Sequence, residues 1–276
     1  MLKMVVMICR KPGTTPSSFR DYYETSHSKL MKHFADCIGD YRRSYPVAGI
    51  IKGDAMYNPG GVALGVQGQT FDCITEVWLK DERALKTLYS RMAAPDLARI
   101  FLEDTLYFTD RSRTRFVICE EERGVRGLAS PMFAGTAGNH GSNCEQQNRK
   151  IKLIATMKRK EGISLAEFRE YYENSHTRLT HHVAEFMADY RRSYPRPNPA
   201  APSSVYNPSG ADLITPDNAP FDCMTEIWLE NADAVQGLLA VMARADVAAE
   251  FAADEERFVE RSQTRLIVCE ECRGWQ

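Results

Sequence analysis

"FRDYYETSHSKLMKHFADCIGDYRRSYP" (residues 19–46) is written again as "FREYYENSHTRLTHHVAEFMADYRRSYP" (residues 168–195). Seventeen of the 28 positions are identical, and Tyr, His, Arg, Ser and Asp survive as often as apolar residues. Packing alone would hold the apolar positions and let the polar ones drift. The polar side chains are therefore candidates for a site.

The duplication runs the length of the chain. Tyr57-Asn58-Pro59 answers to Tyr206-Asn207-Pro208, "FDCITEVWL" (71–79) to "FDCMTEIWL" (221–229), and "RSRTRFVICEE" (111–121) to "RSQTRLIVCEE" (261–271). Between the copies, Arg123–Asn148 is rich in Gly, Ser, Asn and Ala and reads as a linker. The expected organisation is two domains, 1–122 and 149–276, joined by residues 123–148. Units of this size are domains, since solenoid repeats run about 20–50 residues.

Composition narrows the function. The 276 residues are 43% hydrophobic and 26% charged, enough to bury real cores. A formal net charge of −2 gives no electrostatic case for nucleic acid or an anionic membrane. The apolar start, Met1–Cys9, is too short for a signal peptide, and no run approaches the ~18 apolar residues of a membrane span. A cytoplasmic protein with no nucleic-acid or membrane partner is expected. Eight cysteines scatter through apparent strands and helices, and Cys269-x2-Cys272 has no second pair to close a zinc site. Reduced, mostly buried thiols and no metal are the expectation.

Within a copy, "KMVVMIC" is a short apolar strand. Thr15-Pro16 then supplies a capping residue and a proline at the first helical position. From Phe19 the apolar residues recur at spacings of three and four, through Tyr22, Tyr23, Leu30 and Phe34. "DYRRSYP" alternates as a strand with Tyr41, Arg43 and Tyr45 on one face. A Gly/Pro/Asn-rich loop (47–70), the strand 71–79, helical sequence over 81–101 and the strand 113–120 complete a βαββαβ order, the ferredoxin-like arrangement. Its two helices cover one sheet face and leave the other bare. Two copies in one chain would cover each other, sheet to sheet.

With about 100° per residue from Phe19, the apolar face of the first helix centres near 20–30°, His27 falls at about 80° and His33 at about −40°. The second copy repeats this with His176 and His182. One buried histidine would be read as a satisfied core residue. Two histidines, two tyrosines and an arginine converging twice point instead to pockets lined by Tyr23, His27, His33, Arg43 and Tyr45, and by Tyr172, His176, His182, Arg192 and Tyr194. Apolar walls with a few convergent polar groups suit a small molecule, and histidine moves protons near neutral pH. Asp72 and Glu76, and Asp222 and Glu226, sit about 13 Å apart along their strands, too far to act as a catalytic pair. A structural role across the interface between copies is expected for the glutamates. Phosphate-loop, nucleophile-elbow, HExxH and dinucleotide motifs are missing.

The stretch "ICRKPGTTPSSFRDYYETSHSKL", its partner "MKRKEGISLAEFREYYENSHTRL", and the D-C-x-T-E-x-W strands resemble the EthD family of the dimeric α/β-barrel superfamily. The resemblance covers both halves and implies an α+β fold, two ferredoxin-like βαββαβ domains forming in one chain the barrel that most relatives build from two. Related families include cofactor-free monooxygenases, polyketide cyclases, dehydratases, decarboxylases and haem enzymes. In the cofactor-free ones the helix histidine serves as acid/base, which carries over to His27 and His176. The family's H-x-P-L turn has Lys29 and Arg178 in place of its proline, which leaves the chain path after the histidine open.

The leading expectation is a cofactor-independent lyase acting on an aromatic, phenolic or polyketide-like molecule by decarboxylation, dehydration or elimination. His27 and His176 would be the bases. Tyr23, Tyr45, Tyr172 and Tyr194 would orient the substrate, and Arg43 and Arg192 would counter a carboxylate or oxyanion. A cofactor-free monooxygenase and a non-catalytic accessory binder are the alternatives. No cofactor is called for, and none of the six histidines carries a haem signal. A homodimer of the two-domain chain is compatible with this reading.

Overall fold

The computed structural model describes residues 1–48, 63–64, 71–125, 150–199 and 212–275. The linker beyond Val125, most of the loop 47–70 and residues 200–211 of the loop 196–220 lie outside the described residues. The first repeat contains β1 (Leu2–Ile8), α1 (Pro16–Tyr22), β2 (Ile38–Pro46), β3 (Ala63–Leu64), β4 (Cys73–Leu79), α2 (Glu82–Met92), α3 (Pro95–Phe108) and β5 (Arg115–Arg123). The second contains β6 (Lys150–Met157), α4 (Leu165–Asn174), β7 (Asp189–Pro195), β8 (Asp212–Ile214), β9 (Cys223–Leu229), α5 (Ala232–Met242), α6 (Ala245–Glu255) and β10 (Arg265–Arg273).

Local chemistry starts the helices where the sequence places them. Thr15 caps α1 in a reciprocal capping box with Ser18, and Pro16 sits at the first helical position. Ser164 and Glu167 do the same for α4. Asp81 and Asn231 cap α2 and α5, each accepting from the third backbone N–H beyond it.

The strands run β1-β4-β2-β10-β6-β9-β7-β5 and return to β1, so eight antiparallel strands close on themselves. The last strand of each repeat makes the closure. Along one edge β5 bonds β7 through Cys119–Arg123, and β10 bonds β2 through Cys269–Arg273. The short strands β8 and β3 add in parallel to the remaining lengths of β5 and β10. The expected intramolecular barrel forms, and closure leaves none of the eight strands with an open edge.

Alternation along β1 separates two interiors. Met4 and Ile8 face the helices, whereas Lys3, Val5 and Met7 face the barrel lumen. There Val5, Met7, Ile74 and Val117 of one repeat pack against Ile154, Met224 and Ile267 of the other. At one level of this lumen lies a fully buried square of charge. Lys3 Nζ is 2.5 Å from Glu76 and also contacts Glu226, while Lys152 contacts both glutamates. Each lysine thus bridges carboxylates from both repeats, the structural role expected of Glu76 and Glu226. Glu121 and Glu271 flank the square and accept from the Trp78 and Trp228 indoles, each at 2.7 Å.

Among the described residues six cysteines are free and buried, as expected. Cys272 departs from that expectation, being disulfide-bonded. Among the described residues, no helix is long and apolar enough to cross a membrane.

Candidate active site

Each repeat has a cavity between its helices and the outer face of the barrel, about 100 Å³ in the first repeat and about 90 Å³ in the second. An apolar cavity of ~150 Å³ accepts benzene, so spaces about two thirds that size admit at most a single small ring. The first is walled by Met4, Ile8, Phe34, Phe101, Phe108 and Phe116, the second by Leu153, Met157, Val183, Leu238, Phe251 and Leu266.

His27 and His176 line these cavities and are almost wholly buried. The Nδ1 of His27 lies 2.5 Å from Asp104, and that of His176 lies 2.6 Å from Asp254. A carboxylate can only accept, so Nδ1 carries a proton and Nε2 is left for a molecule in the cavity. Tyr22 and Tyr171 donate to the other oxygen of the same carboxylates, at 3.0 and 2.8 Å, and fix their orientation. Burial raises the Asp254 carboxyl, but the hydrogen bond from His176 and its charge outweigh burial and bring it below its ordinary value.

The polar side of each cavity is a short relay. The Tyr23 hydroxyl lies 2.7 Å from Thr75 Oγ1 and accepts from Tyr41 at 3.3 Å. The Tyr172 hydroxyl lies 2.5 Å from Thr225 Oγ1, and Tyr190 lines the same cavity. Burial drives the Tyr23 and Tyr172 phenols well above their ordinary range and lifts Tyr190 to about 12. These phenols stay protonated and serve as hydrogen-bond donors. The His27 ring stands 4.7 Å from that of Tyr23 and 4.9 Å from that of Phe108, so its edge is held within an aromatic box.

Of the ten residues expected in the pockets, the structure brings together Tyr23 with His27 and Tyr172 with His176. His33 is exposed and outside the cavity, and His182 is half-buried beside Glu250 at 2.7 Å. The uniform helical count fails after Tyr23, because a π turn over Tyr23–His27 is followed by a 3-10 turn over Met31–Phe34. In the second repeat α4 stops at Asn174, Ser175 leaves the helical region, and His176–His182 winds as a 3-10 helix.

Arg43 and Arg192 also lie away from the cavities. Each is clamped by one glutamate: Nε of Arg43 donates to Glu24 at 3.0 Å, Nη2 donates to the same carboxylate, and Nη1 donates to the Gly274 carbonyl. Tyr45 donates to Glu24 at 2.6 Å. Arg192 and Tyr194 repeat this on Glu173. A buried guanidinium requires a counter-charge, and this partner occupies the donors that a substrate carboxylate would need.

Asp104 and Asp254, which bond the two histidines, are the site residues that the reading of residues 19–46 missed. A signal existed. The third helices, "PDLARIFLEDTLYF" (95–108) and "ADVAAEFAADEERF" (245–258), share only Asp96/Asp246, Ala98/Ala248, Phe101/Phe251, Asp104/Asp254 and Phe108/Phe258. Three of these ten side chains, Phe101, Phe108 and Phe251, wall the cavities, and two hold the histidines. Among the described residues, no group of three His, Cys, Asp or Glu is arranged to hold a metal ion.

Comparison with known proteins agrees with the repeat. The family model for the EthD domain matches residues 11–112 and again 160–262. A provisionally named monooxygenase from Fusobacterium nucleatum shares the fold at a TM-score of 0.51 and 7% identity, over 100% of this chain and 94% of that one. A provisionally named monooxygenase from Lactobacillus acidophilus aligns at 0.47 and 8% identity, covering 100% and 96%. A mutant chlorite dismutase from Candidatus Nitrospira defluvii aligns at 0.42 and 11% identity, covering 98% and 90%. No curated protein matches the sequence.

Proposed function

We propose, from the premise that this chain belongs to the EthD family in two tandem copies, that it is a small-molecule enzyme working by proton transfer at two His–Asp pairs. One observation carries this reading. In both repeats a buried histidine is held through Nδ1 by an aspartate on another helix and lines an aromatic cavity. That arrangement fixes the ring, leaves Nε2 as the base, and stabilises the imidazolium that forms when Nε2 takes a proton.

The reaction class that fits is a cofactor-independent lyase. His27 or His176 would take a proton from a phenol or a carbon acid, and the protonated tyrosines would donate toward the developing oxyanion. The imidazolium would then return its proton to a departing hydroxyl in a dehydration, or to the carbon left by a decarboxylation. The cavity volume favours a single flat ring over a polycyclic substrate.

The test uses the full chain and a panel of hydroxylated aromatic acids. His27→Gln and His176→Gln should each remove turnover at their own cavity, and the double variant should lose about 10²–10⁴-fold in rate while keeping its fold. Asp104→Asn should lower the rate at the first cavity with a smaller effect on ligand affinity. A folded double Gln variant with full activity would sink the proposal. Cofactor-free oxygenation of a phenol needs the same base but consumes O2, so oxygen uptake recorded in the same assay separates that chemistry from a lyase.

A further inference from the structure

The two cavities have diverged in chemistry while keeping the His–Asp pair. In the first, Thr105 donates to the Phe101 carbonyl at 2.7 Å. Thr114 donates to the Asp110 carbonyl at 2.8 Å and accepts from the Cys9 amide at 3.3 Å. Both hydroxyls are thus committed to the protein. The position of Thr105 is taken in the second repeat by Glu255, which lines the cavity, is buried, and has Arg261 Nε at 3.4 Å. Thr264, which takes the place of Thr114, also lines the cavity. It is 7% exposed, and its Oγ1 has no hydrogen-bond partner. The backbone explains why. Where Thr114 follows a turn closed onto Asp110, Thr264 follows the 3-10 turn Arg261–Gln263, and its amide bonds Arg261 instead.

A buried hydroxyl without a partner is costly, and the Glu255 carboxylate beside Arg261 has lone pairs enough to accept from a ligand as well. We infer that the cavity at His176 selects a ring carrying a second hydroxyl group, which donates to Glu255 and accepts from Thr264, whereas the cavity at His27 takes the monohydroxylated ring. Glu255 and Thr264 line the same cavity of about 90 Å³. The inference rests on the reading of both cavities as small-molecule sites and adds that the two copies hold different substrates.

Methionine methyl NMR on the full chain resolves the cavities, since Met4 and Met31 line the first and Met157 and Met187 the second. The probes are phenol and the three dihydroxybenzenes. At least one dihydroxybenzene should shift the Met157 and Met187 methyls at about tenfold or more lower concentration than phenol does, each of the two added hydrogen bonds contributing up to about tenfold. The Met4 and Met31 methyls should show no such preference. Glu255→Thr combined with Thr264→Val should abolish the preference at the second cavity. Glu255→Gln, which keeps the side chain's length, should weaken it. Equal preference at both cavities, or a preference that survives the double variant, would overturn the inference alone. If no probe moved any of these methyls, the small-ring reading of the site would fall with it.

Discussion

Arg43 and Arg192 are sealed from solvent, and at each the fold answers a buried cation with one glutamate, one tyrosine and one backbone carbonyl. Removing the counter-charge and keeping the shape should therefore hurt stability and not chemistry. Glu24→Gln leaves the guanidinium buried against a neutral amide, and a loss of about 3–5 kcal/mol is expected. Urea denaturation of the variant checks this, and an unchanged midpoint would contradict the assignment. The same reasoning separates two kinds of repeated polar residue in residues 19–46. Tyr23 and His27 face a cavity, whereas Glu24, Arg43 and Tyr45 bind one another beside it.

At the scale of elements, the two copies solve the packing of α2 and α5 differently. Cys37 and Thr87 in the first repeat correspond to Phe186 and Gly237 in the second. A Cβ on Gly237 would fall on the edge of the Phe186 ring, well inside van der Waals contact. The large side chain and the missing one are a compensated pair. Gly237 lies inside α5, where Ala would ordinarily stabilise a helix by ~0.8–1 kcal/mol. Here Gly237→Ala should instead destabilise by about 1–3 kcal/mol. Adding Phe186→Cys should recover most of the loss, and thermal melts of the three variants decide. A gain in stability from the single change would show that the ring moves aside freely.

For the whole molecule, the charged lumen ties stability to pH. Glu271 is fully buried; burial raises its carboxyl, but Arg42, Lys152 and Arg273 bring it down from 4.5 to about 2. A folded pKa below the unfolded one stabilises fully above about pH 4.5, and that contribution fades as pH falls toward 2. The shift corresponds to about 3 kcal/mol. Glu271→Gln should make the variant less stable at pH 7 and flatten the loss of stability between about pH 4.5 and 2. Unfolding curves across that range test it, and parallel pH profiles for the two proteins would refute it. Closure has a second consequence. Residues 1–122 or 149–276 alone would expose the lumen face and the edges that β5 and β10 bond across the repeats. Each half should self-associate or fail to fold, and a stable folded monomer of either half by light scattering would overturn this.

The duplication, the βαββαβ order, the cap at Thr15 and the closed pairing of two bare sheet faces were determined by the sequence. Each rests on local periodicity, on short-range hydrogen bonding, or on comparing one copy with the other. His27 and His176 could be located for the same reason, since each lies about three turns from a well-phased helix start. Tertiary structure decided the rest of the site. Only packing sets the π turn and 3-10 turns that carry His33 and His182 away from the cavities. Only the approach of α3 and α6 brings Asp104 and Asp254 onto the histidines, across 77 and 78 residues of chain. Arg43 pointed at a substrate in the strand pattern, yet burial required a counter-charge, and Glu24 was the carboxylate within reach.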